Sequence, residues 1–165
     1  MDNKLIYEFS SQKTDGDASL SNLLGGKGAN LAEMSKLGIQ VPPGFTITTE
    51  ACNYFSKNKK LPDGLKEEII NYVSNLESLS QKSFGNSESP LLLSVRSGGM
   101  ISMPGMMDSI LNIGLNDDNV QNLAKAFNDE RFAFDSYRRL IQMYSNVVLG
   151  VEMDRFEAVI ANKKR

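Results

Sequence analysis

Residues 91–115 read LLLSVRSGGMISMPGMMDSILNIGL, two short apolar segments flanking a polar-tipped loop rich in glycine and methionine. Leu91, Leu92, Leu93 and Val95, bounded by Pro90 and by Ser97-Gly98-Gly99, have the composition and length of a short buried strand. Arg96 closes it. A guanidinium at a strand end beside two glycines suits a phosphate: its planar fork matches two oxygens, and residues without a Cβ let backbone amides come close. The loop continues through Ser102, Met103, Pro104, Gly105, Met106, Met107 and Asp108, with Pro104-Gly105 a turn dipeptide. Ile110, Leu111, Ile113 and Leu115 then return the chain to a core. From residue types alone the stretch is equally a β-loop-β unit whose methionines fill that core, since methionine is a common gap-filler. Asp108, the loop's carboxylate, reads either as a magnesium contact or as a cap for local backbone amides.

A second glycine-rich element lies upstream, Leu24-Gly25-Gly26-Lys27-Gly28-Ala29-Asn30-Leu31-Ala32-Glu33-Met34, followed by Ser35-Lys36-Leu37-Gly38. Leu31, Met34 and Leu37 fall at helical spacing, with Gly25, Gly26 and Gly28 where the helix begins and Gly38 where it ends. Lys27 therefore stands at a helix N-terminus. Unpaired amides, the positive end of the helix dipole and an ammonium converge there, which is the chemistry of an anion site. The spacing is neither that of a P-loop nor that of a Gly-x-Gly-x-x-Gly dinucleotide fingerprint. Alone, the element is also an ordinary glycine turn before a helix.

Taken together, residues 23–52 and 90–117 resemble, almost residue for residue, the amino-terminal nucleotide-binding region of the pyruvate, phosphate dikinase family. The resemblance runs from about Tyr7 to the end of the chain. The first block, in the looser form Gly-Lys-x-x-x-Leu-x-Glu-Met followed by Val-Pro-Pro-Gly-Phe, is shared with phosphoenolpyruvate synthases, whereas Ser102-Met103-Pro104-Gly105-Met106-Met107-Asp108 is similar to the dikinases. The resemblance implies an α+β fold, part of an ATP-grasp-like lobe with a small mixed sheet and packed helices, over residues 1–115. A small helical subdomain, incomplete, follows over 116–165. It also implies ATP and Mg²⁺ as ligands, with Lys27 contacting phosphate, Arg96 binding ATP, and Gly105 and Met107 lying in the loop that closes over the triphosphate. Met100 stands where some members carry an arginine, which leaves Arg96 as that loop's fixed cation. The implied reaction interconverts ATP, pyruvate and phosphate with AMP, phosphoenolpyruvate and diphosphate through a phosphohistidine on another domain. The implied partners are that domain and a pyruvate-handling barrel, and the chain is then expected to be a piece of a longer enzyme, inactive by itself. The alternatives are a non-catalytic remnant, a partner-binding module, or the matching region of a phosphoenolpyruvate synthase.

Composition narrows the chemistry. The 165 residues include no histidine, which excludes Cys/His dyads, histidine-based triads and histidine-containing zinc sites within the chain. A net charge of −2 gives no reason to expect nucleic acid or an anionic membrane as partner. The single cysteine, Cys52, cannot form an internal disulfide, which fits the cytoplasm, and in its apolar-flanked segment it is expected to be a buried structural thiol. The sequence has no apolar run long enough for a membrane span and no secretion signal.

Outward from the two glycine-rich blocks, residues 4–9 alternate as a strand and 10–19 form a polar loop. Val41-Pro42-Pro43-Gly44 is a non-helical turn leading to a strand at 45–48, and Thr49 with Glu50 reads as the cap of the next helix. Leu65, Ile69, Tyr72, Val73, Leu76 and Leu79 predict an amphipathic helix packed on the sheet, with Lys66, Glu67 and Glu68 solvated. Asn116-Asp117-Asp118-Asn119 caps a helix whose face is Val120, Leu123, Ala124 and Phe127. Asp129 caps another, in which Phe134, Tyr137, Leu140, Ile141, Tyr144, Val147 and Val148 are expected in the core before Gly150 ends it. Arg138 and Arg139 read as an exposed helix face, and a last amphipathic piece runs from Met153 to Ile160.

Overall fold

The computed structural model describes residues 4–85, 88–98 and 109–163. Their contacts divide them into two compact units: residues 4–80 with Gly98, and residues 81–85, 88–97 and 109–163. This division by contacts is a separate matter from the functional boundary expected at 115/116.

In the first unit, β1 (Ile6–Phe9) precedes α1 (Ser21–Lys36) and pairs antiparallel with β2 (Gly44–Ile47), Tyr7 lying opposite Thr46 and Phe9 opposite Gly44. Side chains alternate across a strand, so Ile6 and Phe45 share one face of this ladder and Tyr7 and Thr46 the other. The first face meets α2 (Thr49–Asn58) and α3 (Leu65–Ser80), where Ile6, Ala51 and Leu65 are buried together with Phe45, Ile69 and Tyr72 packed on them. Ile6 and Leu65 are nearly inaccessible; burial on that scale stabilises by about 2 kcal/mol per side chain. Lys66, Glu67 and Glu68 are exposed, as the amphipathic pattern of α3 requires.

The second face of the ladder carries α1. Its buried residues are Leu24, Gly25, Gly28, Ala29 and Ala32, whereas Leu31 is half-buried and Met34 and Leu37 are exposed. The helical spacing of Leu31, Met34 and Leu37 is present, but the packing face is made by Leu24 and the small residues. Close approach of a helix to a two-stranded ladder selects small residues, which carry little weight in a count of hydrophobic periodicity. The polar loop after β1 grips the other end of α1. The Ser35 hydroxyl donates to the Ser10 carbonyl at 2.9 Å, the Lys36 ammonium reaches Asp17 at 3.0 Å, and Glu33 accepts from the Ala18 amide at 3.1 Å.

Two further expectations are corrected here. The cap of α2 is Thr48, extended and fully buried, whose hydroxyl accepts from the Ala51 amide at 3.4 Å; Thr49 already lies in the helix and donates to the Asn22 carbonyl at 2.8 Å. Cys52 is exposed, because it stands about 100° round the helix from Ala51, the buried residue of α2.

In the second unit, β3 (Ser83–Phe84) pairs parallel with β4 (Pro90–Leu91). Then β5 (Leu93–Arg96) pairs antiparallel with β6 (Ser109–Ile113), with a register shift between Leu93 and Val95. Three helices follow, α4 (Val120–Phe127), α5 (Glu130–Val147) and α6 (Met153–Lys163). The core gathers Ile110 and Leu115 from the hairpin side, Val120, Leu123 and Ala124 from α4, and Ala133 and Leu140 from α5. The α+β class is borne out, with the described strands forming three separate two-stranded ladders. No helix of the described residues is long and apolar enough to cross a membrane.

The turn into α4 is more interlocked than a simple cap. Asn119, fully buried, donates from its side-chain amide to the Gly114 carbonyl at 2.7 Å and accepts from the Asn116 amide at 2.8 Å. Asn116 in turn accepts from the amides of Asp118 and Asn119 at 3.0 and 2.9 Å. Asp129 caps α5 as expected, accepting from the Phe132 amide at 2.8 Å. The apolar stripe of α5 divides: Leu140 is buried and Tyr137 half-buried, but Phe134, Ile141, Tyr144, Val147 and Val148 are exposed, as are Phe127 on α4 and Val95 on β5. Their expected place in the core is corrected, since α5 offers one face to α4 and β6 and its stripe is wider than that face.

Two measurements check this account. A Cβ on Gly114 (φ +115°) would lie 2.4 Å from the Leu91 carbonyl oxygen, so Gly114→Ala is expected to cost about 2 kcal/mol or more by overpacking. Asp129→Ala is expected to cost about 1 kcal/mol as a lost cap. Urea midpoints followed by circular dichroism order the two variants. Separately, the Ser19 hydroxyl, then the Lys36 ammonium and the Ser19 amide, hold the Asp17 carboxyl down at about 2 from an ordinary 3.8. A carboxyl lowered in the folded state stabilises above its ordinary value, and that gain is lost as the pH falls towards 2. Thermal unfolding of wild type and Asp17→Asn should therefore differ near about pH 5 and converge near about pH 2.

Candidate functional site

A lysine in the first turn of a helix offers an anion its ammonium and the positive end of the helix dipole. The local chain makes such a turn around Lys27. Gly25 adopts φ 69° and ψ 161°, a conformation open in practice to glycine, and breaks α1 inside its first half. The helix proper therefore restarts at residues 26–28, with Lys27, half-buried, in its opening turn. Two contacts seat that turn. The Thr49 hydroxyl on α2 holds the Asn22 carbonyl just upstream. Gly28, one residue past the lysine, lies directly against the side chain of Thr46 on β2, where an added Cβ would sit 2.7 Å from both Cγ2 and Oγ1. Gly98, which groups with this unit, has the Leu24 carbonyl oxygen 3.9 Å from where its own Cβ would stand.

Arg96 is the last residue of β5, opposite Ser109, and exposed. The strand end expected from the sequence is present. Its guanidinium projects from a backbone held by the pairing of Val95 with Ile110 and of Arg96 with Ser109. Lys27 belongs to the first unit and Arg96 to the second, each fixed by its own surroundings. Gly105 and Met107, with Met100, Ser102 and Asp108, lie outside the described residues.

The other charged groups near these elements have structural partners. Asp15 meets Lys4 at 2.8 Å, Glu8 meets Lys13 at 3.5 Å and Asp17 meets Lys36. Arg138 and Arg139 share Asp135, Arg139 at 2.7 Å, and Arg138 also bonds Gln142; Arg139 is exposed as anticipated, whereas Arg138 is half-buried. Among the described residues no three carboxylates, cysteines or histidines gather in a way that could hold a metal ion. Sequence reasoning did not single out Thr46. The one available signal was strand alternation, which turns Thr46 away from Phe45 and towards the glycine-bearing helix.

With this geometry in hand, comparison with known proteins is specific. The family described as pyruvate phosphate dikinase, AMP/ATP-binding domain matches residues 21–85, the segment that contains α1, Lys27, β2 and Thr46. The chain is 51% identical over 162 residues to the pyruvate, phosphate dikinase of Rhizobium meliloti (strain 1021), 98% of this chain and 18% of that protein. To the pyruvate, phosphate dikinase of Clostridium symbiosum it is 52% identical over 158 residues, 95% of this chain and 18% of that protein. To that of Entamoeba histolytica it is 52% identical over 160 residues, 96% and 18% respectively. The chain thus spans about 18% of the length of the relatives it matches. The domain match over residues 21–85 and an identity that runs along nearly all of the chain thus make these 165 residues similar to one portion of the pyruvate, phosphate dikinases.

Proposed function

We propose that this chain binds ATP as the first portion of a pyruvate, phosphate dikinase, an enzyme that interconverts ATP, pyruvate and phosphate with AMP, phosphoenolpyruvate and diphosphate. The observation that carries the reading is the position of Lys27. It lies in the opening helical turn after the Gly25 break, inside the segment that matches an AMP/ATP-binding domain. In this reading residues 1–115 are the first part of the ATP-grasp-like lobe and 116–165 a helical subdomain. Lys27 and Arg96 neutralise β- and γ-phosphate oxygens, and amides of the loop at Gly105 and Met107 bind others. Catalysis of phosphoryl transfer by such a region consists of positioning and charge neutralisation. The nucleophile comes from elsewhere, because the acceptor histidine of the proposed reaction has no counterpart among these residues.

Mg²⁺ belongs to the same proposal, its protein ligands lying mostly outside this chain. When bound, the ion offsets phosphate charge. The partners in this reading are the phosphohistidine domain and the barrel that handles pyruvate, working in the cytoplasm, where the unpaired Cys52 stays reduced.

Calorimetric titration of the 165-residue chain with Mg-ATP tests the site. Binding should weaken by about tenfold or more in Lys27→Ala and again in Arg96→Ala, the scale of a lost hydrogen bond to a charged group. Unchanged affinity in either variant removes that residue from the site. A second readout concerns turnover: incubation with β-labelled ATP should leave no label on the denatured chain. Label retained through a gel would contradict the assignment of the acceptor to another domain.

A further inference from the structure

We propose that Thr46 is a positioning residue for Lys27, acting through its contact with Gly28. The inference rests on the ATP reading above and goes one step beyond it, to what aims the lysine.

Lys27 and Gly28 are consecutive, so whatever fixes the backbone at Gly28 fixes the Cα–Cβ direction at Lys27. Gly28 is buried, and the space where its Cβ would be is occupied by Thr46, with Cγ2 and Oγ1 both at 2.7 Å and Cβ at 3.2 Å. Rotation about χ1 of Thr46 does not clear that space, because with two heavy atoms on Cβ at least one stays on the Gly28 side in every staggered rotamer. Nor is Thr46 free to retreat. It is paired with Tyr7 in the middle of the β1–β2 ladder, and Phe45 beside it is packed into the core under α3. The helix therefore rests on a stop set by the strand. The depth of that stop determines how far the opening turn sits above the ladder, and so where the ammonium points. The upstream side is held separately by the Thr49 bond to Asn22, and the Gly25 break between the two contacts lets the opening turn be placed independently of residues 21–24.

The test uses the whole chain and a double-mutant cycle. Gly28→Ala should push the turn off the strand and weaken Mg-ATP binding by about tenfold. Gly28→Ala with Thr46→Ala removes both atoms at 2.7 Å and should recover affinity to within about threefold of wild type. In a Lys27→Ala background, Gly28→Ala should change affinity by less than about twofold. A purely structural role would not produce that last result, because damage to the fold lowers affinity whether or not the lysine is present. Equal weakening in both backgrounds, or no recovery in the double variant, overturns the proposal.

A ligand-free readout separates it from the ATP reading. Amide shifts of residues 26–29 should move in Gly28→Ala and return in the double variant. If they do not return, the positioning role is wrong whatever binds. If they return while Lys27→Ala leaves Mg-ATP affinity unchanged, Thr46 still positions Lys27 and the nucleotide assignment is what falls. Should Gly28→Ala fail to fold, Thr46→Ile adds bulk at the same contact from the strand side. It should weaken binding in the same Lys27-dependent way, and wild-type affinity in that variant counts against the proposal.

Discussion

Everything in the first unit depends on how closely a helix can lie on a two-stranded ladder. The residues of α1 that meet β1 and β2 are glycine and alanine with one leucine, so the contact is made by backbone and methyl groups rather than by interdigitated large side chains. Such a seat contributes little hydrophobic area but permits little error, since a single added carbon at Gly28 has nowhere to go. The ladder is built to the same tolerance, with the Phe9 ring filling the space where a side chain at position 44 would be, its Cζ 2.6 Å from a Cβ built there. On the opposite face Ile6 and Phe45 meet α2 and α3, where Leu65, Ile69 and Tyr72 supply depth.

The second unit solves a different problem, turning a hairpin into a helical layer within six residues, 114–119. Gly114 passes close under the Leu91 carbonyl, and Asn119 spends its side chain on Gly114 and Asn116 instead of on the helix it introduces. A buried amide is costly unless its hydrogen bonds are made. Here they tie the strand end to the helix start, so the angle between β6 and α4 is set by directional bonds before the apolar residues of α4 and α5 fill in around it.

Much of this was legible in the sequence. The order of strands and helices other than β3 and the division of the 91–95 run into β4 and β5, the strand end at Arg96, the cap at Asp129 and the amphipathic α3 all follow from local rules whose partners lie a few residues away. Lys27 at a helix start was legible for the same reason, because the glycines that break α1 are its immediate neighbours. The misreadings share a cause. Cys52 and the aromatic residues of α5 were assigned to a core by neighbourhood composition, which does not say how much of a helix its partners cover. Thr46 escaped notice because its importance is a relation between two residues 18 positions apart, each unremarkable alone.

The division of the chain also bears on synthesis. The cluster of Ile6, Ala51 and Leu65, the ladder, and the seat of α1 all use residues before Ser80. The second core uses none before Gln81. A chain made from its amino end releases from the ribosome all that the first core needs while the second is still unmade, and domains with local contacts fold as they emerge. The ladder under the Lys27 helix and the core behind it are thus complete in sequence before the segment bearing Arg96 is translated.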